Sequence, residues 1–465
     1  MKSFELTQDI KPSSRQLDWQ KMEYYGMINY GLPTFISKNA LDGVTIPQLF
    51  APEELDTDIW AQMAKASGMS GLVLTVKYYD GFCLWQTETT EYSLKSSPWQ
   101  ESKGDLVREV SRSCLKYGLK FGINICVWDN HAPEFKSGVG YNELFKAQLT
   151  ELCSNYGELF EVRIDDRCDI IQPSPFDYAG VYAIIRSLQP KAAITCAGPD
   201  ARWVGNNKGF TRKEEWSPTP VKYAYLEDGT VFKGLTKIKS EMVLDIGSRK
   251  AIKHDTEFVW RPCEVNLSMR PSIFYNKNDN YNSKTKDVLH KAYENTVGNN
   301  SCLMLGLVPN KRGKFHDSEE QILTAFGKDL KAYYGGNLLA SVDFTIESSS
   351  SLGKLYSPKN CTDDNDDTFF RPAENDKQPE IIIKFAEQQV FDRIILCEHI
   401  ANGQHMEDFK VFCYNDEKKK WKLFGEASSI GYKRILSGEP LRSSAVKVKF
   451  LSWRGFFEIS KIIIN

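Results

Sequence analysis

One texture, repeated from Met22 to about Leu330, constrains this chain more than any other feature. Short runs of apolar and β-branched residues ending in polar or aromatic side chains alternate with longer stretches of helical periodicity. The pattern predicts a strand over 71–77, a helix over 105–117 stopped by Gly118, and a strand over 119–127. A helix over 141–156 stopped by Gly157, a strand over 159–165, a helix over 176–188 and a strand over 192–197 continue it. Glycine just past a helix is expected there, because it adopts the left-handed conformation without steric penalty. Repeated βα units demand parallel strands joined by helical crossovers.

Two architectures satisfy that demand, an open doubly wound sheet and a closed barrel. No GxGxxG follows the first strand, so the dinucleotide-binding form of the open sheet loses support. A barrel explains why Asn29-Tyr30, Lys77-Tyr78-Tyr79-Asp80, Trp128-Asp129 and Asp165-Asp166 all close apolar runs, since such barrels gather active sites at the C-terminal ends of their strands. The expected fold is therefore α/β, a (β/α)8-like barrel over 1–337. After about Leu338 the helical periods stop. Short strands are expected over 380–385, 392–397, 409–414, 445–451 and 459–464, with turns at Asn402-Gly403, Asn415-Asp416 and Ser437-Gly438. That part, 338–465, reads as an all-β sandwich domain.

Several function classes fall away. The 59 basic and 61 acidic residues nearly cancel and no long basic block occurs, so nucleic acid is not an expected partner. The short run Lys418-Lys419-Lys420 reads as a solvated turn. No apolar run reaches the roughly 18 residues of a membrane-spanning helix. The eleven cysteines, scattered at Cys83, Cys114, Cys126, Cys153, Cys168, Cys196 and onward, form no CxxC or Cys/His ligand spacing, so buried thiols are expected and a zinc site is not. His131, His254, His290, His316, His399 and His405 make no HExxH or HxH pattern, which argues against metal-assisted hydrolysis. The first residues carry no apolar signal core, which fits a cytoplasmic start or a mature chain whose signal has been removed; a secreted or periplasmic protein is the expectation.

Carboxylates at strand ends are what remains for chemistry. A retaining glycosidase needs one as nucleophile, with a second carboxyl group about 5–5.5 Å away as acid/base. Asp165 and Asp166 follow a strand that would fix the first. Spacing alone favours the plainer reading of adjacent acids that open a loop or cap a helix. Glu214 and Glu215 beside Trp216, and Glu264 after Trp260-Arg261-Pro262-Cys263, are the nearest downstream acids in aromatic company. A solvated pair, and an ion pair between Glu264 and Arg270, are their plainer readings. Tyr78, Tyr79 and Trp85 form an aromatic cluster able to pack on a sugar or simply fill a core.

These segments resemble glycoside hydrolase family 29, the retaining α-L-fucosidases, through much of 19–335. The likeness is carried by Glu23 to Gly31, by Leu74-Thr75-Val76-Lys77-Tyr78-Tyr79-Asp80-Gly81-Phe82-Cys83-Leu84-Trp85, and by Tyr117 to Ile123 leading to Trp128-Asp129. Asn155-Tyr156-Gly157 ahead of Asp165, Gly198-Pro199-Asp200-Ala201-Arg202-Trp203-Val204-Gly205-Asn206, and Cys263-Glu264 through Ser268-Met269-Arg270-Pro271 extend it. The resemblance implies Asp165 as the nucleophile, with Glu214, Glu215 or Glu264 as candidate acids. It implies a sugar site built from Asn29, Tyr78, Tyr79, Trp85, Trp128, Asp129, Trp203, Asn207 and Arg270. The chain departs from the family where paired histidines become Tyr78 and Tyr79, a first-strand histidine becomes Asn29, and a tryptophan before the nucleophile becomes Arg163. The glycine after the nucleophile is Asp166, and the acid/base glutamate falls on Asn207, whose amide donates no proton at useful pKa.

The C-terminal part resembles coagulation-factor type C, discoidin-like modules through Asp363 to Phe370, Phe391 to Leu396, Phe409-Lys410-Val411 and Trp421. Such modules often bind sugars or calcium, and the acidic run from Asp363 suits an oxygen-ligated ion. The expectation is thus an exo-acting hydrolase of fucosylated glycans needing no cofactor, with structural calcium as an option in the C-terminal module. The alternative is a catalytically silent carbohydrate-binding protein on the same scaffold.

Overall fold

The computed structural model describes residues 3–36, 42–166, 175–231 and 245–465; Cys168 lies outside them. In chain order the first part carries strands β1 (Tyr24–Ile28), β2 (Gly71–Lys77), β3 (Lys120–Cys126), β4 (Leu159–Asp165), β5 (Ala193–Cys196) and β6 (Arg202–Trp203). A two-stranded ribbon, β7 (Pro218–Pro220) with β8 (Phe258–Trp260), precedes β9 (Cys263–Ser268) and β10 (Ser301–Leu307). Eight strands form one parallel sheet in the order β5-β4-β3-β2-β1-β10-β9-β6. A parallel bridge between Thr195 and Ala201 links its two ends, giving a nearly closed barrel.

Local chemistry sets the crossovers. The helix Leu106–Tyr117 opens on Asp105, whose side chain accepts the Arg108 N–H at 2.9 Å, and ends on Gly118 with φ 66°. Helix Tyr178–Leu188 opens likewise on Asp177, which accepts the Gly180 N–H at 2.9 Å. All seven residues of β2 are buried, as a strand sealed by helices outside and side chains inside must be. β5 and β6 are the irregular pair. Only the turn 197–201 separates them, with no helix between.

The second part contains β11 (Phe344–Ser348), β12 (Glu380–Glu398), β13 (Met406–Asn415), β14 (Lys420–Ala427), β15 (Arg434–Trp453) and β16 (Ile459–Ile464). They pair antiparallel in the order β11-β12-β15-β13-β14, with β16 on β12. The separate strands expected over 380–385 and 392–397 are one continuous strand. Register shifts after Lys384 and after Phe391 absorb the polar stretch between them as bulges. Ser437-Gly438, expected as a turn, lies inside β15. β11 and β14 went unread because their residues are half-exposed and polar, which hides the alternation.

The two parts share a seam. Ile395, Cys397 and Ile435 of the β module pack into the barrel's own hydrophobic core. Gln404 accepts the Ser217 N–H at 2.8 Å and an Asn300 amide N–H at 3.1 Å, and it donates to the Glu215 carbonyl at 3.0 Å. The Arg454 guanidinium lies 3.7 Å from the centroid of the Trp216 ring.

Candidate active site

The C-terminal ends of the barrel strands open into a cavity of about 270 Å³. Asn29 follows β1, Tyr78 and Tyr79 follow β2, Asp165 ends β4, and Trp203 ends β6; all line it. β9 contributes Asn266 and Ser268, and the segments after it contribute Arg270 and Lys284. Among the described lining residues Asp165 is the only carboxylic acid.

Asp165 is held from below. Arg163 sits two residues back on β4, so both side chains leave the strand on the same face. Its Nη1 lies 3.4 Å from Asp165 Oδ2, its Nε 3.0 Å from Glu264 Oε1, and Nη1 also donates to Asn124 Oδ1 at 2.9 Å. Glu264 in turn accepts from the Tyr25 hydroxyl at 3.2 Å and is fully buried. Beneath it Glu161 takes the Trp19 indole N–H at 3.2 Å and the Thr195 hydroxyl. Burial, joined by the negative charge of Glu264, pushes the Glu161 carboxyl up to about 8. The barrel interior thus stacks a protonated acid, a carboxylate, a guanidinium and the Asp165 carboxylate, a column in which each charge meets its complement.

The aromatic wall rests on a second buried column. Tyr78 and Tyr79 stack with ring centroids 4.3 Å apart and planes 7° apart, and Tyr78 meets Phe274 edge-on at 5.1 Å. Just before them Lys77 pairs with Asp129 at 3.1 Å and touches the Tyr141 hydroxyl at 3.3 Å and Gln148 at 2.9 Å. Burial alone would lower the pKa of this ammonium, but Tyr141 and Asp129 outweigh it and hold the pKa above its ordinary value. Asp80 lies beside this group, fully buried. Desolvation, with the charge of Asp129 adding to it, pushes its carboxyl up to about 7.

The expected site residues divide cleanly by position. Asn29, Tyr78, Tyr79, Asp165, Trp203, Asn207 and Arg270 are brought together around the cavity. Trp85, Trp128 and Asp129 stand behind its wall: Trp85 donates to Glu151 at 2.8 Å, Trp128 to Asn130 at 3.0 Å, and Asp129 serves Lys77. Glu264 lies beneath the floor and pairs with Arg163, not with Arg270, whose partner is Glu319 at 2.6 Å. Glu215 is no solvated acid; it is fully buried between Arg202 and Arg212. Burial alone would raise its pKa, but those two guanidinium groups hold it below the usual carboxylate range. Glu214 is half-buried and does not line the cavity. Asp166 turns aside to accept the Tyr178 and Tyr225 hydroxyls at 2.7 and 2.6 Å.

Asn124, Asn266, Ser268 and Lys284 were not singled out in the sequence. Asn124 and Asn266 had a readable signal, each a lone amide within an apolar strand. Among the described residues, the buried Asn266 Oδ1 and Ser268 Oγ have no hydrogen-bond partner, and a polar ligand would satisfy both. In the C-terminal module Asp364 and Asp366 reach the Lys461 ammonium at 3.2 and 2.8 Å, so a cation already occupies the acidic run. Among the described residues no group of three or more His, Cys, Asp or Glu side chains is placed to hold a metal. No helix among them is long and apolar enough to cross a membrane.

Comparison with known proteins adds identity to this geometry. A family model described as alpha-L-fucosidase matches residues 7–335, and one described as F5/8 type C domain matches residues 345–463. Alpha-L-fucosidase 1 of Arabidopsis thaliana is 30% identical over 433 residues, covering 91% of this chain and 81% of that protein. A Ruminococcus gnavus fucosidase solved in complex with fucose superposes with a TM-score of 0.86 at 26% identity, over 98% of this chain and 95% of that one. A glycoside hydrolase 29 family member from an unknown rumen bacterium gives 0.79 at 28% identity, over 98% and 77% of the two chains.

Proposed function

The chain belongs to the α-L-fucosidase family of glycoside hydrolases, and we propose that it removes terminal α-L-fucosyl or closely related residues from glycans, with Asp165 as nucleophile. The observation that carries this reading is Asp165 itself, the one carboxylic acid among the described residues of the cavity, fixed from below by Arg163. Its carboxylate oxygen attacks the anomeric carbon as the bond to the leaving oxygen breaks. Water then hydrolyses the glycosyl-enzyme, and the configuration is retained. Arg163 contributes orientation, because its guanidinium is itself anchored by Glu264 and Asn124.

The leaving oxygen must also gain a proton, and Asn207 stands on the wall where the resemblance expects a glutamate. On this reading the protein favours fucosides whose aglycone departs without strong acid assistance. The same observation supports the second reading, a carbohydrate-binding protein that no longer turns over. A glycan-directed role goes with the secreted or periplasmic location expected above.

Turnover separates the two. Hydrolysis of an aryl α-L-fucoside with an acidic phenol is expected, and Asp165→Asn should abolish it. Asn207→Glu should accelerate substrates with poor leaving groups by about 10²–10⁴-fold, the usual contribution of a positioned acid. Fucose binding without turnover of either substrate by any variant would establish the second reading instead.

A further inference from the structure

Four side chains stand at one level of the barrel and touch in series. Arg163 pairs in register with Asn124, and Asn124 with Thr75; Asn29 follows β1 beside Thr75. Arg163 Nη1 donates to Asn124 Oδ1 at 2.9 Å, Asn124 Nδ2 to Thr75 Oγ1 at 3.2 Å, and Thr75 Oγ1 to Asn29 Oδ1 at 2.7 Å.

One direction of that series satisfies every group in it. A guanidinium has donors and no acceptor, so it must face the oxygen of Asn124. The Asn124 amide nitrogen is then turned toward Thr75. The Thr75 oxygen accepts there, and among the described residues the acceptor for its single hydrogen is the oxygen of Asn29; a reversed Asn29 amide would leave that buried hydrogen without one. The nitrogen of Asn29 is what remains. Asn29 is 3% exposed and lines the cavity, and among the described residues its side chain has no partner besides Thr75. Ordinarily the two ends of an amide are interchangeable, but here one orientation satisfies the Thr75 hydrogen and the other does not.

We propose that Asn29 is a specificity-determining residue that presents the cavity with an obligate hydrogen-bond donor, and that Arg163, Asn124 and Thr75 are the positioning residues that fix its polarity. This rests on the reading of the cavity as a sugar site. The group Asn29 selects is a ring-hydroxyl oxygen of the pyranose, accepting through a lone pair. An amine that is protonated, or a carbon bearing only hydrogen, is rejected there. Asn266 lines the same cavity, and among the described residues its buried Oδ1 has no hydrogen-bond partner. An imidazole at position 29 would change its donor count on protonation, whereas this amide donates at every pH.

Calorimetric titration of L-fucose into the intact protein tests the assignment. Thr75→Val should weaken binding about tenfold although Thr75 is one residue removed from the sugar, and Thr75→Ser should restore it. Asn29→Asp keeps the shape and turns the donor into an acceptor, so it should weaken binding at least as much. Fucose analogues with one hydroxyl at a time replaced by hydrogen locate the contact. At one position deoxygenation should cost affinity in the unmodified protein and nothing further in Asn29→Asp. Unchanged fucose affinity in both Thr75→Val and Asn29→Asp would overturn the proposal while leaving the sugar-site reading intact. Absence of fucose binding by the unmodified protein would instead overturn the sugar-site reading and the proposal with it. Should Thr75→Val not fold, Asn29→Asp and the analogue series decide the matter alone.

Discussion

At the scale of single residues, buried acids dictate how this protein answers to pH. Among the described residues the buried Asp80 Oδ2 has no hydrogen-bond partner, and desolvation raises its carboxyl to about 7. An unfolded aspartate titrates near about 3.9. Below that value both states hold the proton and Asp80 contributes no pH dependence. Between it and about 7 the unfolded chain has released a proton that the folded chain keeps, so stability falls as pH rises. At higher pH both are ionised and the loss is constant, with an upper bound of roughly 4 kcal/mol. Glu161, raised to about 8, adds a loss of the same sign over a window that closes near that pH. The buried His405, which desolvation lowers to about 4, contributes a gain that is complete by about pH 6.5, so chemical denaturation from there to about pH 8.5 should show declining stability, and Asp80→Asn should flatten the lower part of that profile. An Asp80→Asn profile as steep as the original would refute the assignment. Much of the candidate site was legible at this scale, because Asp165, Tyr78, Tyr79 and Asn29 each end an apolar run. The misplaced residues were two tryptophans, Trp85 and Trp128, and several acids. Spacing reveals that Glu264 and Glu215 exist near the site, but only packing reveals that each is spent on a buried arginine.

At the scale of elements, two glycines in left-handed conformation show why one position is costlier than another. Gly118 ends its helix at φ 66°, and an added Cβ there meets nothing nearer than 4.0 Å. Gly118→Ala should cost only the backbone term, about 1–2 kcal/mol by thermal or chemical denaturation. Gly81, at φ 84°, lies against Asp129, so a Cβ there collides with the carboxylate that holds Lys77. Gly81→Ala should cost distinctly more and disturb the Tyr78–Tyr79 stack, visible as altered aromatic circular dichroism. Equal costs at the two glycines would contradict the packing. The helix stops at Gly118 and Gly157 were readable because the chemistry is local. The bulged β12 and the helix-free step from β5 to β6 were not, because long-range pairing decides both.

At the scale of the whole molecule, the β module is built into the barrel. Gln404 satisfies three polar groups across the seam, and Ile395, Cys397 and Ile435 complete a core that starts in the barrel. Gln404→Ala orphans the Ser217 N–H, while the Asn300 amide and the Glu215 carbonyl keep their bond to each other at 3.0 Å. An orphaned buried group costs about 1–3 kcal/mol, so a fall of about that size in a single calorimetric transition is expected; two separate transitions would show that the parts unfold independently. This coupling keeps Glu215, Trp216 and Arg202 in place on the side of the barrel where β6 lies, and through β6 it reaches Trp203 on the cavity wall. The chemistry at the centre of that cavity is tested most directly by covalent trapping. Incubating the intact protein with a fluorinated α-L-fucosyl donor, then mapping peptides by mass spectrometry, should place the sugar on Asp165. A label on another residue, or none while the donor is consumed, would contradict it.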